Sequence, residues 1–118
     1  MNFNSSQPIY LQIAEYLCDA ILSEKWKADQ RIPSVRELGS SLEVNPNTVV
    51  RGYEQLERDG AIYNKRGVGF FVSADAKEKI TAQRRKAFLE DELPRLAIRM
   101  KQLDISIEEL TERISQDI

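Results

Sequence analysis

Along the first third of the chain the apolar residues recur at helical spacing. From Pro8 to Glu24, Ile9, Ile13, Leu17, Ala20 and Ile21 fall on one side at about 100° per residue, and Gln12, Glu15, Asp19 and Ser23 gather on the other. Leu11, Ala14, Cys18 and Leu22 widen the apolar arc, which predicts a helix covered from more than one direction. Pro8 suits the first turn, where its missing N–H costs nothing. Residues Lys25 to Pro33 place Trp26 among polar neighbours and read as a loop. Ser34-Val35-Arg36-Glu37 then forms a capping box, which starts a short helix with Val35, Leu38 and Leu42 inward that fades at Glu43-Val44.

A further helix begins almost at once. Asn45 is a good N-cap, Pro46 takes the first helical position, and Gly60 supplies a left-handed stop after Asp59. Two helices joined by so tight a turn must cross, which is the helix-turn-helix arrangement. In the second of them Val49, Val50, Tyr53 and Leu56 share one arc, opposite Asn47, Thr48, Arg51, Glu54, Gln55 and Arg58. Asn, Thr, Arg and Gln are the side chains that read base edges and hold phosphates in a major groove, although an ordinary solvated face has the same composition. The segment after Gly60 separates the two readings. Ala61 to Lys65 and Phe70 to Val72 are β-prone, and Arg66-Gly67-Val68-Gly69 between them predicts a hairpin with Lys65 and Arg66 at its tip. Gly67 and Gly69 permit positive φ and close approach to another backbone. A hairpin with a basic tip directly after a helix-turn-helix is the winged variant of that fold.

Beyond Ser73 the pattern changes. Apolar residues recur at Phe88, Leu89, Leu93, Leu96, Met100 and Leu103, then at Ile107, Leu110, Ile114 and Ile118, which marks two amphipathic helices. Ser106 and Glu109 form a second capping box, and Pro94 predicts a kink or break near Glu90 to Leu93. The expected class is mainly α with a small β-hairpin, organised as a winged helix-turn-helix domain over 1–74 and a helical tail over 75–118. The tail is too short for a convincing core of its own, so its apolar stripes pack either on the winged domain or on a second copy of the chain. Because a helix-turn-helix protein usually reads two half-sites as a dimer, Phe88, Leu93, Leu96, Met100, Leu103, Leu110 and Ile114 are assigned to dimerisation. A ligand pocket lined by Phe88, Leu93, Leu96 or Met100 is the weaker alternative, and a small-molecule effector is not indicated.

Counts narrow the chemistry. The 118 residues include no histidine and one cysteine, Cys18, which excludes a His-dependent triad, a His-ligated metal, a zinc ribbon and a disulfide framework. Cys18 reads as a small buried apolar residue. With no phosphate loop and no convergent polar pocket implied by spacing, neither catalysis nor a cofactor or metal is expected. The polar, uncharged stretch Met1 to Pro8 does not read as a basic n-region leading into an apolar stretch, and no apolar run approaches a membrane span, so the expected location is cytoplasmic. Lys and Arg total 17 against 19 Asp and Glu, a net charge of −2. DNA binding therefore has to rest on placement of Arg36, Arg51, Lys65 and Arg66 on one surface, not on a global field.

Five segments in order carry a resemblance: Pro8-Ile9-Tyr10-Leu11-Gln12-Ile13, Arg31 to Leu38, Val44 to Arg51, Tyr53 to Glu57, and Lys65 to Val72. Together they resemble the N-terminal domain of GntR-type bacterial transcriptional regulators over about residues 8–73. The short two-helix tail is similar to the YtrA-type subfamily, which lacks large effector domains. Its tail serves dimerisation, and its members often control nearby transporter operons. The resemblance implies DNA contacts at Arg36, at Asn45, Asn47 and Thr48 on the start of the recognition helix, and at Arg66 and Gly67 on the wing. Arg51 stands one residue past Val50, where relatives with larger effector domains often carry the base-reading arginine. Glu24 and Asp29 replace glycines common in the family, and Gly52 replaces an alanine, a change that weakens an isolated helix by up to roughly 1 kcal/mol. The implied function is a homodimeric, sequence-specific regulator, a repressor, acting on a palindromic operator. A winged-helix module that binds protein and not DNA is the alternative.

Overall fold

The computed structural model describes residues 3–118; Met1 and Asn2, which open the polar N-terminal stretch and the expected first domain, lie outside the described residues. The chain is mostly helical with one antiparallel hairpin, in the order α1 (Ile9–Leu22), α2 (Val35–Leu42), α3 (Pro46–Arg58), β1 (Ile62–Lys65), β2 (Gly69–Val72), α4 (Ala76–Ala87), α5 (Leu93–Gln102) and α6 (Ile107–Asp117). It divides into two compact units, Met1–Thr81 and Ala82–Ile118.

In the first unit, α1 supplies Ile13, Leu17 and Ile21 to a core completed by Leu38 of α2, Val49, Tyr53 and Leu56 of α3, and Ile62 and Val72 of the hairpin. Each such side chain stabilises by roughly 1.5–3 kcal/mol when fully withdrawn from water. Trp26 and Ile32 close the core from the loop, with Trp26 meeting Tyr16 edge to face at 6.4 Å. Cys18 is half-buried against this core rather than inside it. The unit runs past residue 74 because Ala76 and Ile80, one helical turn apart on α4, are buried in the same core.

Gln12, expected on the polar side of α1, is only 5% exposed. The preceding segment folds back over it. Its side-chain amide donates to the carbonyls of Asn4 (2.8 Å) and Gln7 (2.9 Å), and its oxygen accepts from the Asn4 N–H (3.0 Å). Burial without these partners would cost far more than the contact gains.

The capping box at Ser34 is formed, with the Glu37 N–H donating to Ser34 Oγ at 3.1 Å and the Ser34 N–H donating to Glu37 Oε1 at 3.2 Å. The Glu37 carboxyl is held below its ordinary range, first by the Ser34 hydroxyl and then by the Ser34 N–H. At the other ends, α1, α2, α3 and α5 stop in one way: the chain passes through a left-handed residue, and the next N–H reaches back five residues to a carbonyl of the last turn. The left-handed residues are Glu24 (φ 62°), Glu43 (57°), Gly60 (77°) and Asp104 (55°), and the returning bonds run from Lys25 to Ala20, Val44 to Gly39, Ala61 to Leu56 and Ile105 to Met100, each at 2.8 or 2.9 Å. Asp29 is left-handed as well, at 62°. Glu24 and Asp29 therefore adopt the backbone conformation that a glycine would supply.

The tail differs in detail from the expected pair of helices. Helical backbone runs unbroken from Ala76 to Gln102, and the irregularity anticipated near Glu90 to Leu93 is a π-helical turn over Phe88–Glu92, where the Leu93 N–H donates to the Phe88 carbonyl. Pro94 has no N–H to donate to Glu90, and its ring would crowd that carbonyl in a regular helix, so the widened turn relieves the clash without a break. Within the second unit, Leu93, Leu96 and Met100 of α5 and Ile107 and Leu110 of α6 border an apolar groove of about 310 Å³. Ser106 caps α6 by accepting from the Glu109 N–H at 3.1 Å.

Candidate nucleic-acid interface

Placement of the polar face of α3 is set by how the helix begins. Asn45 Oδ1 accepts from the Asn47 N–H at 2.8 Å and Pro46 takes the first turn, so the helix starts abruptly and its first exposed side chains point away from the core. Asn45 is thus partly committed to capping. Asn47 and Thr48 lie four and three residues before Arg51 and share its face, on which Asn47 and Arg51 are exposed and Thr48 is half-buried. Val50 is half-buried, so Arg51 and not residue 50 projects outward. Arg36 is exposed on the first turn of α2.

The inner face of α3 is fixed by two contacts with other elements. Tyr53 is 1% exposed; its hydroxyl donates to the Pro33 carbonyl at 2.6 Å and its ring meets Phe70 of the wing edge to face at 5.0 Å. Burial, and next the charge of Glu37, push this phenol well above its ordinary range. At Gly52, a Cβ would lie 2.9 Å from Ile13 Cγ2 and 3.2 Å from the Tyr10 carbonyl oxygen, so the glycine permits the close passage of α1 across α3. That close passage offsets the helix propensity expected to be lost at 52. It also brings the Tyr10 ring beneath Arg51, whose guanidinium carbon sits 4.1 Å from the ring centroid.

The wing carries the other basic groups. Ile62 pairs with Val72, Tyr63 with Phe71, Asn64 with Phe70 and Lys65 with Gly69. The turn is closed by the Val68 N–H donating to the Lys65 carbonyl at 2.8 Å, with Gly67 at φ 79° and open space on its Cβ side. Positive φ, not crowding within the chain, therefore requires glycine at 67. Lys65, Arg66 and Gly67 are exposed; Lys65 Nζ lies 4.9 Å from the ring centroid of Phe71, which stacks on Tyr63. The loop before α2 adds a third edge to the hairpin: the Asp29 N–H donates to Val72, the Val72 N–H to Gln30 and the Ile32 N–H to Phe70, at 2.8, 3.0 and 2.9 Å. This pairing places the Arg31 side chain against Gly69, where a Cβ would fall 2.8 Å from Arg31 Nε. Arg31 is a basic residue beside the wing that hydrophobic patterning does not identify, because its position depends on pairing across about forty residues of sequence.

Comparison with known proteins agrees with this architecture. The model of the family "Bacterial regulatory proteins, gntR family" matches residues 9–72. The transcriptional repressor YtrA of Bacillus subtilis is 35% identical over 112 residues, covering 95% of this chain and 85% of YtrA. A putative GntR-family regulator from Bacteroides thetaiotaomicron superposes with a TM-score of 0.82 at 43% identity, covering 92% of this chain and 95% of that one. The DNA-binding domain of AraR, solved in complex with its operator ORR3, superposes with a TM-score of 0.56 at 29% identity over 62% of this chain and 88% of that domain. No helix among the described residues is long and apolar enough to cross a membrane. The chain belongs to the gntR family of bacterial regulatory proteins, transcriptional regulators that bind DNA through a winged helix-turn-helix.

Proposed function

We propose that this protein is a homodimeric, sequence-specific transcriptional repressor acting on a palindromic operator. The observation that carries the reading is the Asn47–Thr48–Arg51 face of α3, with Asn47 and Arg51 exposed, together with the exposed basic wing turn Lys65–Gly67. In this reading α3 enters the major groove. Asn47 and Arg51 meet base edges, Thr48 and Arg36 meet phosphates or bases, Asn45 stands at the mouth of the groove, and Lys65, Arg66 and the Gly67 backbone reach the sugar-phosphate backbone or the adjacent minor groove. Repression is supported by the 35% identity to a protein named as a repressor.

Dimerisation is assigned to residues 75–118. Leu93, Leu96 and Met100 with Leu110 line the apolar groove of the second unit, and Phe88, Leu103 and Ile114 of the same unit are exposed. Such a cluster of large apolar side chains needs a cover, and a second copy gives the two-fold symmetry that a palindrome requires. Selection of bound duplexes from a random pool, together with sedimentation of the free protein, tests both halves. The expected result is a palindrome of fixed half-site spacing and a dimer mass. An asymmetric site with a monomer mass overturns the dimer, and a pool that yields no enriched sequence overturns DNA recognition.

A further inference from the structure

We infer that Tyr10 is a positioning residue for Arg51: its ring is a platform on which the guanidinium is held, face down, before DNA arrives. The inference rests on the proposed DNA-binding function and deepens it. The Arg51 guanidinium carbon is 4.1 Å from the Tyr10 ring centroid, a close cation–π contact between residues on different helices. Arginine donors lie in the plane of the group, so a stack on one face leaves the N–H edges free to pair with a base. An unsupported arginine on a solvated helix face samples many rotamers and gives up that freedom on binding; one already stacked gives up less.

The platform is itself held in place. Gly52, the residue after Arg51, admits the first turn of α1 so closely that a Cβ there would touch the Tyr10 carbonyl oxygen at 3.2 Å. From the other side, buried Gln12 ties α1 to the Asn4 and Gln7 backbone. Tyr10 is half-buried, whereas Arg51 is exposed. The two side chains therefore divide the work: the ring sets direction and the guanidinium makes the contact.

The test uses a duplex selected from a random pool by the unmodified chain and a scrambled duplex of the same composition. Tyr10→Phe, Tyr10→Leu, Arg51→Ala and the double variant Tyr10→Leu/Arg51→Ala are compared by fluorescence anisotropy at one salt concentration. Tyr10→Phe keeps the platform and should bind within about two-fold of the parent. Tyr10→Leu should lose about two- to thirty-fold on the selected duplex, the range of a cation–π contact, and much less on the scrambled one. It should lose nothing further in the Arg51→Ala background. Equal losses for Tyr10→Phe and Tyr10→Leu would mean that the hydroxyl itself acts on DNA and would overturn the proposal, as would an undiminished Tyr10→Leu loss without Arg51. If Tyr10→Leu does not fold, the ring-current shift of the Arg51 Cδ protons in the parent chain reads the stack directly, and its absence overturns the proposal. A selected duplex bound equally by every Tyr10 variant refutes the platform alone; failure to select any duplex refutes the DNA reading and the platform with it.

Discussion

Tyr53 ties the recognition helix to the residue that precedes the N-cap of α2, and removing one oxygen measures that tie. The phenol donates to the Pro33 carbonyl at 2.6 Å from a site that is 1% exposed, and its ring packs on Phe70. Tyr53→Phe keeps the ring and its edge-to-face contact. What is lost is the net value of one hydrogen bond, about 1 kcal/mol, with a further contribution because the Pro33 carbonyl is left without this donor, so the expected destabilisation is about 1–2 kcal/mol. Urea denaturation monitored by circular dichroism should show a lower midpoint at unchanged slope, and melting should fall by about 4–8 °C per kcal/mol. A second signature comes from protonation. Because the folded state holds the phenol above its ordinary value of 10, folding retains its proton, so the stability linked to this group is fully present below about pH 10 and declines as pH rises beyond it. Tyr53→Phe should flatten that alkaline decline. A stability change under about 0.3 kcal/mol together with an unaltered alkaline profile would refute the assignment of the bond as a structural tie.

Ser34→Ala removes the acceptor for the Glu37 N–H and one half of the capping box, and should cost about 0.5–2 kcal/mol in the same denaturation assay. The lowered Glu37 carboxyl contributes stability that is present above its ordinary value of 4.5 and is lost as pH falls, so Glu37→Ala should make the acid side of the stability profile shallower. Glu43→Gly relieves a left-handed non-glycine residue at the end of α2 and should stabilise by about 0.5–1 kcal/mol after the entropy of the added glycine is counted; Gly60→Ala should destabilise by about 1 kcal/mol for the converse reason. In DNA binding, Arg51→Ala should cost about 1–3 kcal/mol on a selected duplex and relax base preference, whereas Lys65→Ala should weaken all sequences alike and reduce the salt slope; equal behaviour of the two would remove the division between base reading and phosphate contact.

Local chemistry made much of this fold legible. Ser34 with Glu37, Asn45 with Pro46, Gly60, and the Lys65–Gly69 turn each announce themselves within four residues, and all of them sit where the pattern places them. Contacts between distant residues were not legible. Gln12 reads as a solvated side chain until Asn4 and Gln7 fold over it, and Tyr10 has no visible relation to Arg51 until the helices cross at Gly52. Likewise α4 carries only Ala76 and Ile80 as buried residues in a charged segment, too few for a periodic signal. In the candidate interface, the face of α3 comes from helical spacing alone, while the position of Arg31 beside Gly69 comes only from tertiary pairing.

Three helices here end on an acidic left-handed residue, Glu24, Glu43 or Asp104, where α3 ends on glycine. In the genetic code every glutamate and aspartate codon becomes a glycine codon by one change, adenine to guanine at the second base. The less strained backbone is therefore a single transition away at each of three sites, among the commonest mutations a genome experiences. Carboxylates at Glu43 and Asp104 fit a chain held just above a stability threshold, since selection removes chains that fall below the threshold but does not collect every stabilising change within reach. At Glu24 a glycine would also give up the 2.8 Å ion pair with Lys77.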